Sequence, residues 1–275
     1  MKKIVVSLAT LILIAIIVVA AIFMWRDARY NTQVVDLPPD TAFTTLAKAT
    51  TTQSPSASPQ TEKTKIQEPK SDSSSQSQPL PSSSSVPHAL NLKAAFYAQA
   101  PAGNWDYPWQ EACEEASVLL IANEYLNHQW TSAQFNEQIL NMVDWENKTF
   151  GDYKHTTMAQ TDQMINELLH LKTKIHENPT LDTIKKILAD GHFIVLPLAG
   201  QELGNPYFSN GGPVYHVVVA KGYTKDNKII THDVGTKRGE NYVYDWATID
   251  AALHDYAEPI TDGARRVIEV FPPQL

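Results

Sequence analysis

The sequence predicts an α+β domain over residues 89–275, and three observations carry that reading. Helix-start signals gather in the first half of this stretch. Strand runs gather in its second half, with a turn between two of them. The two segments before it differ from it so sharply in composition that they cannot share its core.

The first of those segments is residues 1–26. Lys2 and Lys3 precede an apolar run from Ile4 to Trp25, broken only by Ser7 and Thr10. About 20 such residues suffice to cross ~30 Å of hydrocarbon as a helix. The run is longer than the apolar core of a cleavable signal peptide. It ends in Ile22-Phe23-Met24-Trp25, a poor cleavage context. Trp25 and Arg26 suit an interface. The segment therefore reads as an uncleaved membrane anchor. Lys2 and Lys3 are nearly balanced by Arg26 and Arg29, so the usual single-anchor arrangement sets the orientation, with the remainder outside the cytoplasm. Residues 27–88 are rich in Ser, Thr, Pro and Gln, as in Ser82-Ser83-Ser84-Ser85. Such a stretch buries too little apolar surface to offset the entropy of ordering, and it reads as a disordered linker.

In the domain, Gln110 to Asn127 reads as a helix with Cys113, Ala116, Leu120 and Asn123 on one face. Thr131 with Gln134, and Thr157 with Gln160, match capping boxes that open two more helices. Thr180 caps a fourth, which ends at Gly191. Strands are expected at His192–Leu198, Tyr215–Tyr223, Lys228–Asp233, Glu240–Trp246 and Arg265–Phe271, with a helix over Ala247–Tyr256. The turn-rich Thr224-Lys225-Asp226-Asn227 makes an antiparallel hairpin of the second and third strands.

A net charge of -8 and a pI near 5.6 argue against a nucleic-acid surface. The single cysteine excludes an intrachain disulfide and a multi-thiolate zinc site. His155, His170 and His176 lack metal-ligand spacing, and no cofactor is implied.

Cys113 stands where a helix begins, and the positive end of a helix favours a thiolate. Glu111, Glu114 and Glu115 oppose that thiolate wherever they face the sulfur. His216 opens an almost pure valine strand, where a buried ring needs partners. Side chains alternate faces along a strand. A two-residue turn at Thr224-Lys225 and a four-residue turn at Thr224–Asn227 both put Asp233 on the face of His216 and turn His232 away. A bulge would reverse that parity. Cys113 as nucleophile, His216 as base and Asp233 as orienter fill the roles of a thiol triad. Gln99 and Gln110 are the candidates for an oxyanion donor. Trp105, Tyr107 and Trp109 read as core packing, with a cleft wall as the alternative. The loop from Gly200 to Pro213 reads equally as a cleft lining beside the base or as a crossover.

The stretches Gln99-Ala100-Pro101, Cys113-Glu114-Glu115-Ala116-Ser117, Tyr215-His216-Val217-Val218-Val219-Ala220-Lys221-Gly222-Tyr223 and His232-Asp233-Val234-Gly235-Thr236 together resemble the C39-like bacterial cysteine peptidases. The resemblance covers the domain and neither of the segments before it. It implies a papain-like fold, with helices packed on an antiparallel sheet. It also implies a peptide substrate, a Cys113-His216-Asp233 triad and Gln99 as oxyanion donor. Many relatives carry Cys-Gly-Pro where this chain has Cys-Glu-Glu, though a Cys-Glu variant also occurs. The gap from Gln99 to Cys113 is longer than in the tightest family pattern, which keeps Gln110 in play. A catalytically silent binding module on the same fold, or a hydrolase of peptidoglycan stem peptides, are the other functions the sequence allows.

Overall fold

The computed structural model describes residues 35–46 and 86–274. The apolar run read as an anchor, and most of the stretch read as linker, lie outside the described residues. Among the described residues no helix is long and apolar enough to cross a membrane.

The elements run β1 (Asp40–Thr41), β2 (Leu90–Leu92), α1 (Cys113–Tyr125), α2 (Ser132–Thr149), α3 (Met158–Leu168), β3 (Thr173–Glu177), α4 (Leu181–Ala189), β4 (Phe193–Ala199), β5 (Tyr215–Tyr223), β6 (Lys228–His232), β7 (Tyr242–Asp245), α5 (Trp246–Ala252) and β8 (Arg266–Val270). The strands form one sheet in the order β1-β2-β5-β4-β8-β3, with β6 joined to β5 and β7 to β6. Every pairing is antiparallel except that of β1 with β2. This is the expected α+β architecture.

The helices start where the side chains dictate. Thr131 and Thr157 each accept from the backbone N–H three residues on, while Gln134 and Gln160 reach back to the N-cap amides. Thr180 caps α4. That helix is followed by Gly191 at φ +87°, a left-handed turn that glycine makes without steric cost.

Helix α1 differs from the rest. All residues from Cys113 to Asn123 are buried. It runs through the interior, with β5 on one side and α2 on another. Ser117 Oγ donates to the Val217 carbonyl at 3.1 Å and ties helix to strand. A helix enclosed all round has no solvent face for its acidic residues. Glu114 and Glu115 are therefore inside, 1 % and 0 % exposed.

Residues 38–46, within the stretch read as linker, are part of the domain. β1 pairs Asp40 with Asn91 and Thr41 with Leu92. The Asn91 side chain donates to Asp40 Oδ1 at 2.9 Å. A helical turn over 43–46 inserts Phe43 into the core, edge-on to Tyr125 at 4.8 Å between ring centroids. One aromatic in a polar stretch is enough to anchor it. Strand β3, which pairs along its length with β8, is a further element beyond the sequence reading.

Candidate active site

The β5–β6 hairpin sets the geometry. Tyr223 pairs with Ile229 and Gly222 with Ile230, so the turn is one residue longer than the longer of the two expected. That change alone would have turned Asp233 to the wrong face. A bulge between Ala220 and Gly222 then shifts the register, and Ala220 pairs with Thr231 and Val219 with His232. The two departures cancel. Asp233, next in line opposite Val218, shares the face of His216.

His216 Nε2 meets Asp233 Oδ1 at 2.8 Å, with both side chains buried. Asp233 is fully enclosed. Its Oδ1 also accepts from the Gly235 amide at 3.0 Å. Its Oδ2 accepts from Asn205 Nδ2 at 2.9 Å and from the Tyr244 hydroxyl at 2.5 Å. Burial alone would raise this carboxyl. The charge of His216 and the hydrogen bonds from His216, Tyr244 and Gly235 outweigh it and hold Asp233 below the ordinary range. A buried carboxylate with four donors is a fixed anchor for a ring.

Phe208 packs edge-on to the imidazole, 5.3 Å between centroids. Gly235 lies so close to it that a Cβ there would stand 2.7 Å from His216 Cε1 and 3.0 Å from Nε2. With Nε2 committed to Asp233, Nδ1 is the nitrogen left for chemistry. His232 faces the other way, as expected. Its Nε2 meets the Ala94 carbonyl at 3.1 Å, and its Nδ1 accepts from the Asn241 amide at 3.2 Å. Burial drives it down to about 3, so it stays neutral.

Cys113 is the first residue of α1, after a 3-10 turn over Trp109–Glu111. Its sulfur lies beside β5, close enough to the Val217 amide for that group to favour the thiolate. Val217 is the residue after His216, so helix tip and base belong to one locality. The thiol itself hydrogen-bonds Glu114 Oε2 at 3.0 Å. Burial, then the Glu114 charge, push the thiol well above its ordinary value. Among the described residues no hydrogen bond joins Cys113 to His216.

Gln99 is buried, and its backbone N–H donates to the Val234 carbonyl at 2.9 Å, one residue from Asp233. Its side-chain amide donates to the carbonyls of Trp109 at 2.8 Å and Gln110 at 3.0 Å, just ahead of Cys113. It therefore bridges the turn ahead of Cys113 and the turn after Asp233. Both its amide hydrogens are in use. The Gln110 side chain is exposed and donates to Glu111 Oε1 at 3.2 Å.

Asn205, Phe208, Tyr244 and Gly235 complete the surroundings of the base and were not singled out for those roles by sequence. The Gly200–Pro213 loop supplies two of them, and it packs against the base. Tyr107 is 59 % exposed, which corrects the expectation of core packing there. Trp109 does pack on the core. Among the described residues no group of three or more His, Cys, Asp or Glu side chains is placed to hold a metal ion.

An internal helix opening on a cysteine, packed on an antiparallel sheet that presents a carboxylate-held histidine, defines a protein of the papain-like cysteine-peptidase class. The model of the Peptidase_C39 like family matches residues 91–258, and the chain belongs to that family. Ten solved chains are similar to it. One, from Bacillus anthracis and described as a C39-like peptidase, is 13 % identical, with a TM-score of 0.44, over 66 % of this chain and 96 % of that one. No curated protein matches.

Proposed function

We propose that the chain is a peptidase that cleaves peptide bonds through Cys113, His216 and Asp233. The observation that carries this is the enclosure of Asp233. Three donors, Asn205, Gly235 and Tyr244, fix one buried carboxylate whose remaining contact holds His216 by Nε2. Such an anchor costs folding energy to bury and is what a general base requires.

In this proposal each group has one role. His216 Nδ1 takes the thiol proton, and the sulfur attacks the scissile carbonyl carbon. The carbonyl oxygen becomes an oxyanion. The Cys113 amide is one donor for it, because first-turn N–H groups of a helix lack intrahelical acceptors. Gln99 is the second donor, shifting one amide hydrogen from the Gln110 carbonyl, the longer of its two bonds. His216 then gives its proton to the leaving amine. Water attacks the thioester with His216 again as base, releasing the acid and restoring the thiol.

The apolar run at 4–25 supports tethering to a membrane, with the domain outside the cytoplasm. One observation favours a silent binding module instead: the thiol is bonded to Glu114 and held neutral. A digest of a mixed peptide library separates the two. The peptidase reading expects cleavage by the wild-type chain and none by Cys113→Ala. An uncleaved library, or equal cleavage by both, would refute it.

A further inference from the structure

Among the described residues Glu114 is the one side chain that hydrogen-bonds the thiol of Cys113, it is as buried as the sulfur, and its other oxygen, Oε1, meets no donor. Among the described residues the groups that bear most on it are acidic or neutral. They are Cys113 and Glu115 on its own helix, Glu111 on the preceding 3-10 turn, Glu146 on α2 and Tyr215 on β5. None is a cation. His155 approaches only the outermost of them, Glu111, at 3.8 Å. A carboxyl enclosed in such company is forced to carry its proton.

We propose that Glu114 is a positioning residue of the nucleophile: as a neutral carboxylic acid it donates a hydrogen bond to Cys113 Sγ, and once it has lost that proton it silences the sulfur. The inference rests on the peptidase reading, in which the sulfur must become a thiolate. When the S–H proton passes to His216 Nδ1, the electron pair stays on sulfur, and the Glu114 O–H is the donor that steadies it. When Glu114 is ionised the roles invert. The sulfur keeps its proton and donates it to the carboxylate, and the attacking pair is not released. Burial first, then Glu115, push the Glu114 carboxyl up to about 8, which puts the changeover just above neutrality. The expected signature is a reactive thiolate that declines on the alkaline side, opposite to an ordinary thiol.

The test is the rate of iodoacetamide alkylation of Cys113 in the full chain, followed from about pH 6 to pH 9.5. The wild-type rate is expected to fall roughly threefold or more above pH 8, while Glu114→Gln, which keeps a neutral donor, holds or rises as thiolate character requires. Profiles that coincide within about twofold overturn the assignment. Should Glu114→Gln not fold, the wild-type thiolate absorbance near 240 nm, taken as a difference from Cys113→Ser, serves instead. A decline above pH 8 supports the assignment, and a steady rise overturns it. Alkylation needs no substrate, so the two readings fail separately. An uncleaved peptide library with the expected alkylation profiles sinks only the peptidase reading. Cleavage with coincident profiles sinks only the role of Glu114.

Discussion

Replacing Glu146 by Gln should flatten the fall of stability with rising pH. Glu115 on α1 and Glu146 on α2 are both 0 % exposed, and among the described residues no amide or hydroxyl donor meets either carboxyl. Burial raises both above the usual range. The charge of Glu146 adds to the rise of Glu115. Glu114 is raised beside them. An acid raised on folding binds more protons folded than unfolded, so its contribution is complete below about 4.5 and is lost as pH climbs through the folded value. Three other groups act in other windows. His232, lowered to about 3, opposes the trend only below its ordinary value of 6.5. Lys221, lowered to about 8, opposes it above 8. Asp233, held low, matters only in acid. The clean window is therefore about pH 6.5 to 8. At about 1.4 kcal/mol per pH unit for each proton, one such carboxyl costs roughly 2 kcal/mol across it. That corresponds to about 4–8 °C in Tm for a domain of this size. Urea unfolding at the two pH values should show the wild type losing at least that much, and Glu146→Gln losing roughly 2 kcal/mol less. A wild-type stability that is level or rises across the window would refute the buried-acid argument.

Four further outcomes are expected. Gly235→Ala sets a methyl 2.7 Å from His216 Cε1; a ring displaced by a fraction of an ångström should lower kcat about tenfold or more with little change in the circular dichroism spectrum. Tyr244→Phe removes the 2.5 Å hydrogen bond to Asp233; a loss of about 1.5–3 kcal/mol in urea unfolding, together with reduced kcat, checks it. His216→Ala should bring the alkylation of Cys113 down to the rate of a protonated thiol, whereas a wild-type rate in that variant would remove His216 as base. Phe43→Ala empties a buried site against Tyr125; it should cost about 3 kcal/mol and expose residues 38–46 to limited proteolysis.

The parts legible in sequence were those fixed by short-range chemistry. Thr131 and Thr157 announced their helices because a cap and its partner are three residues apart. The valines of β5 announced a buried strand. The pairing of His216 with Asp233 followed from strand parity, and it held because a longer turn and a bulge at Lys221 offset each other, which no sequence pattern revealed. β1 and β2, with two and three residues, are too short to show a period. β3 alternates only over Thr173–Glu177, in a stretch between two helices. Asn205 and Tyr244 reach Asp233 across 28 and 11 residues, and nothing local marks them. The direction of Glu114 was the largest gap. A run of acids at a helix start ordinarily faces water, and only the enclosure of α1 turned them inward.

The docking of β1 has a mechanical consequence. Tension on the chain ahead of Pro38 enters the domain at a two-residue parallel ladder and the Phe43 plug. Only when Phe43 is drawn out does the pull pass to β2 and, through its pairing, to β5. The fastening would then act as a fuse, yielding before the sheet that holds His216 feels the pull.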